Sequence, residues 1–506
     1  MSTTPLPGRP HLEHLRNEAR DLQRAIARSD DGALALVGAH HPRGADAVTG
    51  FRLADAQLVV ARRYGFASWP RLRRHVATVT ELTRAPDEVA PTGEPAADFL
   101  LLACLNYSGD DGPDRWSQAD ALLAAHPGLP AENLYVAAAV ADADNVQRHL
   151  AADDGAASRA GGPHRWEPML YLAYARSTRD PGAHAATATA RLLLDAGGDP
   201  DAGFLHHGLP SPFTALTGIF GEGEQGPRHQ PRHPHSLALA RVLLDAGADP
   251  NDSQTLYNRM FGRDDDHLVL LFEYGLGSGA GGPWRQRLGD AQHPPIDAIP
   301  SPERLLRDQL GWAIRHDMPA RVRLLIEHGV DVTTPFDDGR TPTEAAALTG
   351  AVAIVDDLVR AGAPRPALDP ADALLAAALA GRAPHVARLV EHDPDLPAAT
   401  VAAHPTAILE AIAAGRGEAA ARLVALGFDV NAPAGPGQSY ARGATAVHAA
   451  ASDNEVELVR ELLALGADPD ARDHAFDSTP LGWARYGDAR EAAEILSAVT
   501  TDADQG

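Results

Sequence analysis

A short tag recurs along this chain: a pair of apolar residues, usually Leu, then two or three further residues, a Gly, and often an Asp just beyond. It reads LLLDAGGDPD from Leu192, LLDAGADPN from Leu243, LLFEYGLG from Leu270, LLIEHGVDV from Leu324, LVRAGAP from Leu358, LVALGFDVN from Leu423 and LLALGADPD from Leu462. The apolar pair belongs to the buried stripe of a helix. The Gly ends that helix, because the next residue must turn left-handed and a Cβ would be strained there. The following Asp-Pro or Asp-Val enters a turn, where the Asp carboxylate can bond nearby backbone N–H groups. A degenerate copy, LVEHDPD from Leu389, has Asp393 where the Gly should stand. A chain punctuated this way is a series of short helices.

The fullest copies lie between Ala444 and Ala498, as ATAVHAAASDNEVELVRELLALGADPDARD and STPLGWARYGDAREAAEILSAV. Each has a Thr before a short small-residue helix, a polar turn and a second, more apolar helix. Thr341 and Thr479 are placed to cap first helices through their hydroxyls, with Pro342 and Pro480 at the first helical position, where a missing N–H costs nothing. One such unit cannot bury its apolar face alone, so neighbours must stack. The tag glycines fall at 197, 247, 275, 329, 362, 427 and 466. The 33 residues from Gly329 to Gly362 are the undisturbed period. The other spacings require insertions, shortened units or, between Gly362 and Gly427, a degenerate middle unit.

Thr445, Val447, His448, Ala449 and Ala450, followed by Leu462, Leu463, Gly466, Ala467 and Asp468, resemble the ankyrin repeat. The resemblance implies an all-α, ankyrin-type solenoid of stacked helix pairs with short hairpin turns. It implies a non-enzymatic protein–protein interaction scaffold, whose partner the sequence does not identify. In that pattern His448 hydrogen-bonds between repeats, a structural role.

Residues 1–84 lack the tag and are expected to form four helices: Pro10 to Arg28, Asp31 to His40, Arg52 to Tyr64, and Ser68 to about Leu82. Leu12, Leu15, Ala19, Leu22 and Ile26 fit one helical face. The stretch from Leu53, LADAQLVVARRYGFASWPRLRRHV, resembles an N-terminal helical module that precedes ankyrin repeats in some bacterial proteins. Residues 85–96 read as a linker, too rich in Pro and acidic residues for regular structure. Roughly eleven helix pairs are expected over 97–500, with insertions near 176–185, 221–235 and 275–302 and a disordered tail at 501–506. The first two insertions occupy equivalent positions in adjacent units and would project from one edge as a lip.

All 44 basic residues are Arg, which excludes lysine-dependent chemistry such as a P-loop clamp or Schiff base and is typical of a GC-rich bacterial genome. Residues 1–84 carry 13 Arg against 8 acidic residues, so the total of −24 leaves −29 on residues 85–506. A surface so acidic makes nucleic acid an unlikely ligand for the repeats. No apolar run approaches the ~20 residues of a spanning helix, so no membrane association is expected. The N-terminus lacks a signal-peptide pattern, and the single Cys104 is compatible with a reducing compartment; a cytoplasmic protein is expected.

Candidate chemistry concentrates in histidine. His206, His207, His229, His233 and His235 lie within 30 residues, and the spacing of His229, His233 and His235 could surround a transition metal. The competing reading is a solvated, Pro-rich loop. His40 and His41 form a weaker pair. GEGEQG from Gly221 resembles a phosphate loop only superficially, being acidic, preceded by a helix and without Lys. Asp264, Asp265 and Asp266 lack the ligand alternation of a calcium loop and are expected to cap a helix starting near His267. In the N-terminal module, Arg62, Arg63, Arg71, Arg73 and Arg74 flank Tyr64, Phe66 and Trp69, a combination that could contact nucleic acid. These observations assign no catalytic, cofactor-binding or metal residue. They leave two alternatives to the scaffold: a hydrolase or metal-dependent site in the His-rich insertion, and nucleic-acid binding by residues 1–84.

Overall fold

A computed structural model describes residues 4, 6, 7, 10–177, 179–288, 299–435 and 440–501. Residues 289–298 of the third expected insertion and 502–506 of the expected tail lie outside the described residues. The chain is mostly helical and separates into two compact units, Met1–Leu305 and Leu306–Gly506.

Every tag forms the same local device. Leu193, Leu243, Leu271, Leu325, Leu358, Leu423 and Leu462 are fully buried, each four residues before a tag Gly. Gly197, Gly247, Gly275, Gly329, Gly362, Gly427 and Gly466 all have φ between 75° and 100°. The amide after each Gly donates to the carbonyl of that same buried Leu, as from Ala467 N to Leu462 O at 2.9 Å and from Gly198 N to Leu193 O at 2.9 Å. This is the six-to-one bond that closes a helix ending in a left-handed residue. At the degenerate copy Asp393 is extended, with φ −140°, and its amide bonds Leu389 O at 3.0 Å in an ordinary helical turn. Without the left-handed residue the chain runs directly into the next helix, Leu396–Ala403.

A second device, unread in the sequence, joins the two helices of a unit. Ala137, Ala313, Ala346, Ala377, Ala411, Ala450 and Ala484 are buried in first helices. Four residues after each stands a left-handed residue: Ala141, Asp317, Gly350, Gly381, Gly415, Asn454 or Asp488. The amide after that residue again returns to the alanine carbonyl, as from Glu455 N to Ala450 O at 3.0 Å. Thr341 and Thr479 cap their helices as expected. Thr341 also exchanges bonds with Glu344, whose Oε2 accepts the Thr341 N–H at 2.8 Å.

In the N-terminal unit, first helices pack in the order Pro95–Ala103, Leu134–Ala139, Pro168–Tyr174, Ala215–Phe220 and Ser253–Met260. The second helices Ala183–Asp195, Ser236–Asp245 and Asp266–Glu273 pack successively. In the other unit, Ala407–Ala413, Ala446–Ser452 and Pro480–Tyr486 pack successively, and Val456–Ala464 packs on Arg490–Ser497. Residues 10–82 form helices Leu12–Ala27, Asp31–His40, Leu53–Arg63 and Trp69–Leu82, within two residues of their expected bounds. Leu15, Ala19, Leu22 and Ile26 lie in their shared core.

Two segments depart from expectation. The stretch after Leu82 is tied down: β1 (Thr83–Arg84) pairs in parallel with β2 (Gly203–His206), which pairs antiparallel with β3 (Pro212–Thr214). A 3-10 turn follows at Pro86–Glu88, with Pro86 buried. The strand partner lies far along the chain, so local composition could not show it. Within the described part of the third insertion, Gly282–Leu288 forms a helix. Its Trp284 is buried with Val79 and Leu205 and donates its indole N–H to Asp201 O at 2.8 Å.

Two glycine substitutions should fail for different reasons. A Cβ at Gly466 meets nothing within 4 Å, so Gly466→Val should cost about 1–2 kcal/mol from backbone strain alone. A Cβ at Gly218 would stand 2.3 Å from the Tyr174 ring, so Gly218→Ala must move that helix pair and should cost more. Urea unfolding of both variants measures this; equal midpoints for the two would contradict it.

Candidate functional site

Where first and second helices are joined by long loops instead of the tight turn, the loops bind one another. The loops 104–112, 175–182 and 221–235 and the segment 258–266 do this in the N-terminal unit. Leu105 N donates to Tyr174 O, and Arg176 N to Ala103 O. The Arg176 side chain is buried and donates to the carbonyls of Ala173, Ala175, Gly218 and Pro231 at 2.7–3.1 Å. Burial lowers its pKa to about 10, which still leaves it charged at neutral pH. Four carbonyl dipoles therefore serve as its counter-charge. Asn258 Nδ2 donates to the Tyr107 hydroxyl at 3.2 Å.

The histidines of this region are separated by the same loops. His229 Nδ1 lies 2.9 Å from Asp111 O, and His235 Nε2 lies 2.6 Å from Asp180 Oδ1. His233 is buried, and its Nδ1 accepts the His235 N–H at 3.1 Å. Burial, reinforced by Arg176, depresses its pKa to about 3, so it is neutral. The spacing that suggested a metal shell therefore describes three imidazoles with three different partners. His206 and His207 do converge, on a residue the sequence had not connected with them. His207 Nε2 lies 2.7 Å and His206 Nε2 3.9 Å from Asp87 Oδ1 in the 3-10 turn. His207 takes a left-handed backbone, φ 51°, and its ring lies edge-on to His206 at 4.6 Å between centroids. In the N-terminal module, His41 Nδ1 accepts the Arg43 N–H and Nε2 faces Asp55 at 3.3 Å.

The acidic triple does not cap its helix as expected. Asp265 occupies the N-cap position, but its side chain makes no capping bond. Asp264 and Asp266 instead pair with Arg232 and with Arg259, which is fully buried and also meets the buried Glu222. Glu222 is the first Glu of GEGEQG, so that segment supplies an internal counter-charge. The aromatic and basic residues of the N-terminal module also divide differently from expectation. Phe66 and Trp69 lie in the core, while Tyr64 and Arg63 reach Glu18 at 3.1 and 2.7 Å. Core rings cannot stack on bases.

In the C-terminal unit the most regular geometry surrounds His448. Its Nδ1 accepts the Thr445 N–H at 3.1 Å, which leaves Nε2–H to donate to Ser478 O at 3.1 Å, at the start of the next unit. Burial lowers its pKa and keeps it neutral. Asp473 organises the loop beyond: its carboxylate accepts N–H groups from Ala475, Phe476 and Ser478 and the Trp483 indole at 2.9 Å. Burial opposes its charge, but these donors more than offset that and hold its pKa below the usual value. The loop presents Phe476, 73% exposed, and the helix it leads into ends in Tyr486, 82% exposed.

An ankyrin-repeat family model matches residues 442–474. The match contains the helices Ala446–Ser452 and Val456–Ala464, His448 and the tag Gly466. The chain thus carries an ankyrin repeat, a motif that in general mediates protein interactions. Comparison with curated proteins finds no match.

Two buried charges make testable demands. Arg259→Ala leaves Glu222 buried and unpaired, and should destabilise the protein by about 3–5 kcal/mol in thermal or urea unfolding, against under ~1 kcal/mol for the exposed Arg241→Ala. Glu167, before helix Pro168–Tyr174, has one carboxylate oxygen buried without a hydrogen-bond partner. Burial first, and then the Asp199 charge, push it up to about 7. The folded state thus holds a proton that the unfolded chain releases near ~4.3, so stability falls as pH rises from ~4.3 to about 7 and then levels. The advantage of Glu167→Gln over the parent should grow across that window by at most ~4 kcal/mol. Melting curves at the two ends of the window measure it; an unchanging difference would contradict the shift.

Proposed function

We propose that the protein is a non-enzymatic, cytoplasmic scaffold that binds a protein partner through its ankyrin-type units, which stack as a solenoid within each compact unit. The observation that carries this reading is the loop that begins at the end of the matched repeat and runs past it, Asp473–Ser478. Its polar groups are consumed internally by Asp473, and it holds an aromatic ring out in water next to a helix that ends in a second exposed ring. Exposed aromatic residues on a fixed backbone are favoured binding anchors, because few rotamers are lost on contact. The chemistry of the other candidates supports the same reading. Burial pushes the Cys104 thiol up to about 12, so it does not supply a thiolate nucleophile at neutral pH. Both ring nitrogens of His448 are engaged, Nδ1 at the cap of its own helix and Nε2 on Ser478 O of the next unit.

The partner's surface is basic or mixed in charge, to match the −29 of residues 85–506. Affinity purification from the native host with mass spectrometry would identify it. Phe476→Ala and Tyr486→Ala should each weaken binding by about tenfold or more, with unchanged melting temperatures. Association should slow as salt is raised, because steering is screened beyond ~8 Å at physiological ionic strength. Binding untouched by both substitutions would remove the loop from the interface. Turnover of a substrate by the purified protein would overturn the scaffold reading.

A further inference from the structure

We propose that Asp87, His206 and His207 bind a divalent first-row transition metal ion of the zinc class. One ligand atom from each, the carboxylate oxygen and two imidazole nitrogens, lies within 4.8 Å of the others. That clustering is built by the backbone. Successive residues of a strand point to opposite faces, so His206 and His207 would diverge if β2 simply continued. The chain instead turns left-handed at His207, while its amide bonds Arg84 O at 2.8 Å, and this brings both rings to one carboxylate. Asp87 is brought there by the pairing of β1 with β2, which aligns Arg84 with His206.

The donor set fits the ion. Two imidazoles and a carboxylate suit zinc, cobalt or nickel, and three protein ligands leave coordination positions for water. Around the ligands, His207 Nδ1 lies 3.6 Å from Glu88 Oε1, the placement of an outer carboxylate that orients a ligating imidazole. His206 Nε2 also faces Asn106 O at 3.3 Å. The ligand side chains are 12–27% exposed, so an ion can reach them from solvent. The second cluster of similar composition, Asp264, Asp266 and His267, is a poorer site because Arg259 and Arg232 already occupy its carboxylates. A bound ion would tie the turn after the N-terminal module to the β2–β3 hairpin. It would bind the folded chain in preference to the unfolded one, and so raise the melting temperature.

The test uses the full chain without a histidine tag, stripped by chelator and titrated with Zn²⁺ against a chromophoric competitor. One ion per chain should bind. Asp87→Asn, His206→Gln and His207→Gln should each weaken binding at least ~100-fold, beyond the ~10–100-fold cost of losing an outer-shell partner. His229→Gln and His235→Gln, whose rings face other partners, should keep the parent affinity. Zn²⁺ should raise the melting temperature of the parent and not of Asp87→Asn, while the metal-free melt of each variant shows that it is folded. Should a variant not fold, Co²⁺ bound to the parent decides, through the visible absorption of a low-coordinate site with imidazole ligands. Parent protein that binds no ion, or whose binding survives all three ligand substitutions, overturns the proposal, and so does a Co²⁺ complex with only the spectrum of the hydrated ion.

Discussion

The fold depends on a leucine and a glycine four residues apart. Removing the leucine side chain from water contributes about 1.5–3 kcal/mol, but only when a neighbouring helix covers it. Its carbonyl oxygen meanwhile receives the amide just past the glycine, so the residue that fixes how the helix is rotated also fixes where the chain reverses. Burial and reversal therefore cannot drift apart, and a slip in one would expose the other. Asp393 shows the converse. With an extended residue at that point the helix Ala383–His392 has no fully buried side chain, and the chain continues without the reversal.

Two ways of joining paired helices divide the chain. The tight turn consumes its backbone groups within a few residues and needs only a buried alanine and a residue that tolerates positive φ. The long loops leave main-chain carbonyls open, and the protein satisfies them with buried arginine. Arg176 spans three loops and helix ends with one guanidinium, and Arg259 gathers carboxylates from two segments. The fork of an arginine suits this better than a point charge would, since it carries five donors in a fixed plane.

Features that depend on a few neighbouring residues were legible in the sequence. The four helices of residues 10–82, the left-handed glycines and the Thr341 and Thr479 caps all follow from local spacing. The buried alanines were equally legible and went unread: Ala450 with Asn454 and Ala484 with Asp488 repeat the same interval as Ala346 with Gly350. The convergence of His206 and His207 on Asp87 was not legible, because it needs a strand pair between distant segments and a left-handed histidine that no propensity predicts. The fate of Phe66 and Trp69 was ambiguous for another reason. An aromatic beside arginines reads alike whether it faces solvent or the core, and only the packing of Leu72 and Val76 beside them decides.

The tight turns also set how freely the chain can vary in length. A unit closed by such a turn and a tag glycine draws its reversal bonds from within itself and presents similar faces to both neighbours. Insertion or loss of a whole unit of this kind leaves each reversal intact and asks only that two leucine faces meet. The long-loop units have no such freedom. Asp111 answers His229, Arg176 answers Pro231, and Glu222 answers Arg259, so removal of one unit strands polar groups in others. Along one chain, then, some segments behave as interchangeable links and others as a single lock whose parts must change together.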